Sequence, residues 1–277
     1  MYNSALIGNM LGQGNTAEIF EWDRDKILKL YRPEMPDNFC LYEFKVSQYA
    51  HEHLKITPKP IEVINFDGRI GAIYERIDGK TMLKLMISRP WKMSTYSKML
   101  ARYHIDIQQP VNITVNTVKE KLRREIESVS LLSTNEKKSI YNYLDALPDG
   151  NTLCHFDFHP DNIMISSKQC YVIDWMTGCM GDPLSDVART SLILNYAEIP
   201  RVPFVVNILA GVLKKSINKI YLRKYVASTG ASISDIKKWE LPLAAARLCE
   251  WVPDGESKRL FALVKKKLNN QTDTAST

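Results

Sequence analysis

From Ala17 to Trp22 apolar and polar side chains roughly alternate, and a second β-prone run, Ile27–Leu30, follows the polar stretch Asp23-Arg24-Asp25-Lys26. Two such runs separated by turn residues predict a β-hairpin. Pro33 and Pro36 then break the chain, and Asp37 or Asn38 is placed to cap a helix running to about Leu54, with Phe44 among its apolar positions. Two more strands are predicted at Ile61–Phe66 and Ile70–Tyr74, around a turn at Asp67-Gly68-Arg69. This part reads as a mostly antiparallel sheet with one helix.

After Gly79 helical spacing dominates. Ser94–Ile107 is predicted helical, and Ser133 with Glu136 three residues on is a capping-box pattern opening a helix that Pro148 ends at about Leu147. Residues 204–222, 233–250 and 256–268 read as further helices, with Pro242 expected to kink the second of these. The only strand-like island in this half is Ile163–Ile165, paired with Tyr171–Ile173 across Ser166–Cys170. There is no internal repeat or low-complexity segment, and the Thr-, Asn- and Ser-rich last eight residues read as a frayed tail. The predicted class is α+β, divided into a sheet domain at 1–78, a mainly helical domain at 79–269 and the tail at 270–277.

Composition narrows the class. With 45% apolar and 25% charged residues, the 277-residue chain has the balance of a globular protein. Its longest apolar stretch, Phe204–Leu213, is ten residues and contains Asn207, about half of what a membrane span needs. The N-terminus lacks a basic patch followed by an apolar core, so no signal peptide is expected and the predicted location is cytoplasmic. Cys40, Cys154, Cys170, Cys179 and Cys249 are odd in number and lack metal-ligand spacing, which predicts buried free thiols. The net charge of +6 is uneven: from residue 187 onward there are 15 Lys/Arg against 7 Asp/Glu, or +8, which leaves −2 for residues 1–186. The basic residues fall mostly at helical spacing without interleaved aromatics, the pattern of a solvated helix face rather than a nucleic-acid surface.

The chemistry concentrates at the strand-like island. His155-Phe156-Asp157-Phe158-His159-Pro160-Asp161-Asn162 precedes its first strand and Asp174 follows its second. An antiparallel hairpin brings the entry of one strand beside the exit of the other, so Asn162 and Asp174 become neighbours. A carboxamide and a carboxylate oxygen side by side suit Mg²⁺, which takes a few protein oxygens plus water and phosphate. Asp157, five residues before Asn162, is placed to accept a proton from a hydroxyl nucleophile. The order H-x-D-x-x-x-x-N, hairpin, Asp is the catalytic and metal-binding arrangement of protein-kinase-like enzymes.

The sheet supplies the remaining parts. Gly12, Gly14 and Asn15, in Leu11-Gly12-Gln13-Gly14-Asn15-Thr16-Ala17, form a short turn whose backbone N–H groups are expected to approach phosphates. Ala17 stands where a third glycine is usual. Lys29 alternates with Leu28 and Leu30, so it is the polar residue of a half-buried strand, positioned for the α- and β-phosphates. It needs an anionic partner; Glu43 on the following helix is preferred, with Glu34 and Glu52 competing.

His155, Asp157 and Asn162, with Ile173-Asp174-Trp175 and Gly181-Asp182-Pro183-Leu184-Ser185-Asp186, resemble the aminoglycoside phosphotransferase/choline kinase family of small-molecule kinases, from about residue 5 to residue 190. The resemblance implies a two-lobed protein-kinase-like fold with a small antiparallel-sheet N-lobe and a larger helical C-lobe. Tyr74-Glu75-Arg76-Ile77-Asp78-Gly79 looks like that family's interlobe linker, which implies that backbone near Glu75 and Ile77 binds adenine. It further implies Asp157 as catalytic base, Asn162 and Asp174 as Mg²⁺ ligands, and ATP as phosphate donor, with GTP as the other option. Phe156 replaces the arginine of a protein kinase, seven residues separate Asp174 from Asp182, and no Ala-Pro-Glu follows, so a protein substrate is disfavoured. A nucleotide-binding pseudoenzyme would lack one of Lys29, Asp157, Asn162 or Asp174, and all are present.

Among the remaining residues, His155 is read as a brace of the loop, His159 as a turn residue beside Pro160, His104 as packed between lobes, and Trp175 and Trp251 as core anchors. Asp182 and Asp186 are expected to tie the catalytic loop to the next helix. The expected partner is a small-molecule alcohol, with no nucleic acid, membrane or obligate protein partner. The +8 segment favours a neutral or anionic acceptor over a polycation, unless Glu198, Glu240, Glu250, Asp254 and Glu256 face inward.

Overall fold

The computed structural model describes residues 7–200 and 202–275. They form two compact units. The first holds the described residues up to Ser88 together with Pro160–Gly178; the second holds Arg89–His159 and the chain from Cys179 on.

In the first unit, β1 (Ile7–Gln13), β2 (Ala17–Trp22), β3 (Lys26–Tyr31), β4 (Pro60–Phe66) and β5 (Arg69–Glu75) make an antiparallel sheet in the order β1-β2-β3-β5-β4. The period-two alternation decides its faces. Leu28 and Leu30 pack with Trp22, Ile64 and Ile73 on one side. Tyr31 joins Ala17, Cys40, Ala72 and Tyr74 on the other, so Lys29, between the leucines, faces α1 (Asp37–Leu54). Asp67 and Gly68, at φ of 52° and 78°, close β4 onto β5 in the two-residue turn that a right-twisted hairpin favours.

The predicted side-chain cap of α1 is absent: Pro36 is the capping residue in extended conformation, and Asp37 lies in the first turn, where its charge complements the helix dipole. The pattern does not predict two further elements of this unit, β6 (Gly79–Thr81) and α2 (Met82–Ser88). β6 pairs with β8 (Ile163–Ser166), which forms the predicted hairpin with β9 (Cys170–Val172). Gly79 is required there, since a Cβ would meet Ile165 O at 2.6 Å. This pairing draws residues 79–88 and 160–178 into the sheet unit, whereas the sequence reading divided the chain at residue 78.

In the second unit β7 (Thr152–Cys154) pairs with β10 (Cys179–Gly181), and helices supply the rest: α3 (Met93–Ile107), α4 (Val118–Glu127), α5 (Thr134–Asp145), α6 (Pro183–Tyr196), α7 (Phe204–Thr229), α8 (Ile233–Lys238), α9 (Glu240–Arg247) and α10 (Asp254–Ala275). Of these, the pattern does not predict β7, α4 and β10. Thr117–Glu120 and Ser133–Glu136 are complete capping boxes opening α4 and α5. The helix predicted over 233–250 is two helices meeting at Trp239, and Pro242 lies in the first turn of α9, where its missing N–H breaks no helical bond. α10 runs through Ala275, so the frayed tail expected from residue 270 is helical up to there; residues 276–277 lie outside the described residues. Cys40, Cys154, Cys170 and Cys179 are buried free thiols as expected, but Cys249, beyond the end of α9, is exposed. Among the described residues no helix is long and apolar enough to cross a membrane.

Candidate active site

Within the first unit, β1–β3, β5, α1, α2 and the 160–178 segment enclose a cavity of about 540 Å³. Lys29 Nζ, buried on its wall, donates to both Glu43 oxygens at 2.7 and 2.8 Å and to Asp174 Oδ1 at 2.9 Å. Glu43, not Glu34 or Glu52, is thus its helix partner, and both competitors are exposed. Tyr31 donates its hydroxyl to Glu43 Oε2 and fixes the carboxylate from the other side. Burial disfavours the charged ammonium, but Asp174 and Glu43 outweigh it and hold the Lys29 pKa above its ordinary value. Burial likewise raises the Glu43 carboxyl, against the opposing pull of Lys29.

Gly12, Gly14, Lys29, Glu43, Ile77, Asn162 and Asp174 all line this cavity; Asn15 and Glu75 do not. The Glu75 N–H is taken by Lys59 O at 2.9 Å. The Gly14 N–H, expected to face phosphate, donates instead to Ala17 O at 2.8 Å, and Arg32 clamps Gly14 O from Nε and Nη2. Nothing lies within 4 Å of a Cβ added to Gly12, so that backbone borders open space. Ile19, Ile27, Ile77, Met164 and Ile173 give the cavity apolar walls suited to a flat base. The sequence reading missed Arg32, Tyr31 and the contributions of Thr81 and Lys84; only Tyr31, on the face of Lys29 by alternation, carried a signal.

Asn162 and Asp174 border the same cavity at the open end of the β8–β9 hairpin, where Ile173 N–H donates to Asn162 O at 3.0 Å. Asp174 sits in the left-handed region at φ 67°, with its side chain 37% exposed. Among the described residues no three His, Cys, Asp or Glu side chains form a metal cluster. One carboxylate and one carboxamide oxygen bordering a cavity nonetheless fit Mg²⁺, which takes its remaining ligands from water and phosphate.

Asp157 belongs to the second unit. His159 Nε2 lies 3.4 Å from Asp157 Oδ2, and His155 Nδ1 accepts from the Asp157 N–H at 3.3 Å. Burial would raise this carboxyl, yet His159, Arg189 and His155 hold it well below the usual carboxylate range. Asp186, on α6, anchors the loop by accepting from the N–H groups of His155 at 2.6 Å and Phe156 at 2.9 Å. Those bonds hold Phe156 at φ 65°, a conformation that costs a non-glycine residue about 1–2 kcal/mol. Asp182 caps α6 through Leu184 N–H and accepts from Trp239 Nε1. His155 braces the loop as predicted, whereas His159 faces Asp157 and is more than a turn residue. His104 packs within the second unit, between Tyr221 at 2.6 Å and Asp186 at 3.1 Å, not between lobes. Trp175 is fully buried with Nε1 on Thr57 Oγ1, but Trp251, predicted to be in the core, is 81% exposed.

Residues 112–215, which contain the Asp157 loop, the β8–β9 hairpin and α6, match the family model described as phosphotransferase enzyme family. The chain matches that family over less than half of its length. Its fold is similar to that of choline kinase LicA from Streptococcus pneumoniae, at 14% identity over 95% of this chain and 93% of that one, with a TM-score of 0.63. A choline/ethanolamine kinase family protein from Mesorhizobium loti gives 14% identity, 93% and 86% coverage and a TM-score of 0.60. APH(2'')-IIa, in its ternary complex with streptomycin and ATP, gives 16% identity, 93% and 90% coverage and a TM-score of 0.59. The chain therefore shares the fold of these kinases, the fold the sequence predicts. No curated protein sequence matches it.

Proposed function

We propose that this chain is a phosphotransferase that moves the γ-phosphate of ATP, with Mg²⁺, to a hydroxyl group of a small molecule. The observation that carries this reading is the pairing of buried Lys29 with buried Glu43 and part-exposed Asp174 on the wall of a cavity that Asn162 also borders. Phosphoryl transfer asks a protein mainly to align groups and neutralise charge. Lys29, kept charged by its two carboxylates, binds phosphate oxygens, and the apolar walls take the base. Asn162 and Asp174 hold the metal; the chemistry a bound Mg²⁺ supplies is charge neutralisation on the phosphate oxygens. Asp157, kept ionised by His159, Arg189 and His155, orients the acceptor hydroxyl and takes its proton late. GTP remains the alternative donor.

The acceptor is neutral or anionic. Of the carboxylates that would have to turn inward for a polycation, Glu198 pairs with Arg259, Glu240 with Lys267, Glu250 with Arg189 and Arg247, and Glu256 with Arg247. Only Asp254 of that group has no ion pair among the described residues. ADP release measured across sugars, sugar acids, choline and aminoglycosides tests this: stimulation by a neutral or anionic alcohol is expected. Efficient turnover of a kanamycin-like polycation would reverse the acceptor class, and no Mg²⁺-dependent ATP binding would sink the reading itself.

A further inference from the structure

The longest apolar stretch of the chain is not buried. It forms the first three turns of α7, where Val205, Val206, Ile208, Leu209, Val212 and Leu213 are between 42% and 66% exposed. A ten-residue apolar run ordinarily belongs to a core helix or to a segment lying in a membrane interface, and this exposure excludes the first. Monomers rarely leave so many adjacent aliphatic side chains in water. At 100° per residue the six cover an arc of about 160°, broader than the seam between two paired helices and suited to a flat apolar boundary.

The same face changes character along the helix. Arg223 lies eighteen residues, five full turns, beyond Val205, and Lys215, Lys219 and Lys224 flank that line; all four are exposed. None of the four is in an ion pair among the described residues, and α7 contains no acidic residue. The chain from residue 187 on carries +8, so a second copy is repelled from this face while an anionic partner is drawn to it. We propose that the exposed face of α7 binds an anionic lipid surface, with the aliphatic turns entering the acyl boundary and the four cations on headgroup phosphates. A helix lying in the interface needs no span, which is why the missing span led to an expectation of no membrane partner.

Flotation of the full chain with vesicles, in the absence of nucleotide, tests this independently of phosphate transfer. The chain is expected to float with mixed phosphatidylglycerol and phosphatidylcholine vesicles and not with phosphatidylcholine alone, and to be released as ionic strength rises from about 0.05 M to about 0.5 M. These comparisons need no variant. Reversing three charges in Lys215→Glu/Lys219→Glu/Arg223→Glu is expected to lower partitioning more than about a hundredfold, at roughly fivefold or more per charge. Leu209→Asp/Val212→Asp is expected to abolish flotation, with an unchanged circular dichroism spectrum. The proposal is overturned by absence of flotation with anionic vesicles, by flotation indifferent to lipid charge and to both variants, or by a wild-type dimer in sedimentation that the apolar variant dissociates.

Discussion

Lys29 Nζ lies 2.9 Å from Asp174 Oδ1, a carboxylate 145 residues further along the chain, while Glu43 holds the same ammonium with both of its oxygens. A strand, a helix and the end of a hairpin thus converge on one cation. Lys29→Met removes the charge and is expected to lower kcat/KM for the nucleotide about 10²–10³-fold, the usual scale for losing one preorganised electrostatic contact. Steady-state kinetics at varied ATP measure it, and a loss under threefold would exclude phosphate contact.

Glu43→Ala acts on folding as well. It leaves a buried ammonium with Asp174 alone and deprives Tyr31 of its acceptor, so urea denaturation should show a loss of about 3 kcal/mol. Glu34→Ala, at an exposed position, should change stability by less than about 0.5 kcal/mol.

Asp157→Asn keeps the shape of the loop residue and removes its charge. Turnover is expected to fall by about two to four orders of magnitude with nucleotide affinity little changed, the scale of a general-base contribution. Equal turnover by the two forms with the same acceptor would remove Asp157 from the chemistry.

Asp174→Ala and chelation of divalent metal by EDTA should have the same outcome, loss of ATP binding in titration calorimetry. Binding that survives in both would count against Asn162 and Asp174 as the metal pair.

The pH dependence of stability has a fixed sign. Asp157 and Asp186 are both held below the ordinary carboxylate range, against the cost of burial, by His159 and by His104 respectively. Below about pH 4 the unfolded chain therefore binds protons that the folded chain refuses. Stability present above that pH is lost progressively as pH falls toward the folded values. Denaturation midpoints at pH 7 and pH 3 should show the drop, and Asp157→Asn should make it smaller; an identical drop in the variant would contradict the shift.

Much of this arrangement is legible in the residue order. The alternation Leu28-Lys29-Leu30 orients the lysine toward α1, and the spacing from Asn162 to Asp174 fits a short hairpin that joins them at one cavity. The Thr117–Glu120 box carried the same signal as Ser133–Glu136 and went unread. Other features had no local signal. β6 is three residues long and exists because β8 pairs with it, and the Gly14 N–H is taken within its own turn by Ala17 O. Trp251 was assigned to the core by residue type alone, but it lies in the short link between α9 and α10, where no periodic pattern fixes a buried side.

The unit that holds the cavity is discontinuous in the chain, and this sets an order of events during synthesis. Lys29 and Glu43 leave the ribosome early, yet Asp174, Trp175 and the hairpin strands of the same unit follow only after the whole Arg89–His159 segment. At about 5–20 residues per second that delay is roughly 7 to 30 s. During it the nascent N-terminal segment carries its buried cation one carboxylate short, and β6 has no neighbour to receive its open edge. The unit that holds the cavity is therefore completed only after much of the other unit has been translated, so a polypeptide released early is left with an unfinished cavity.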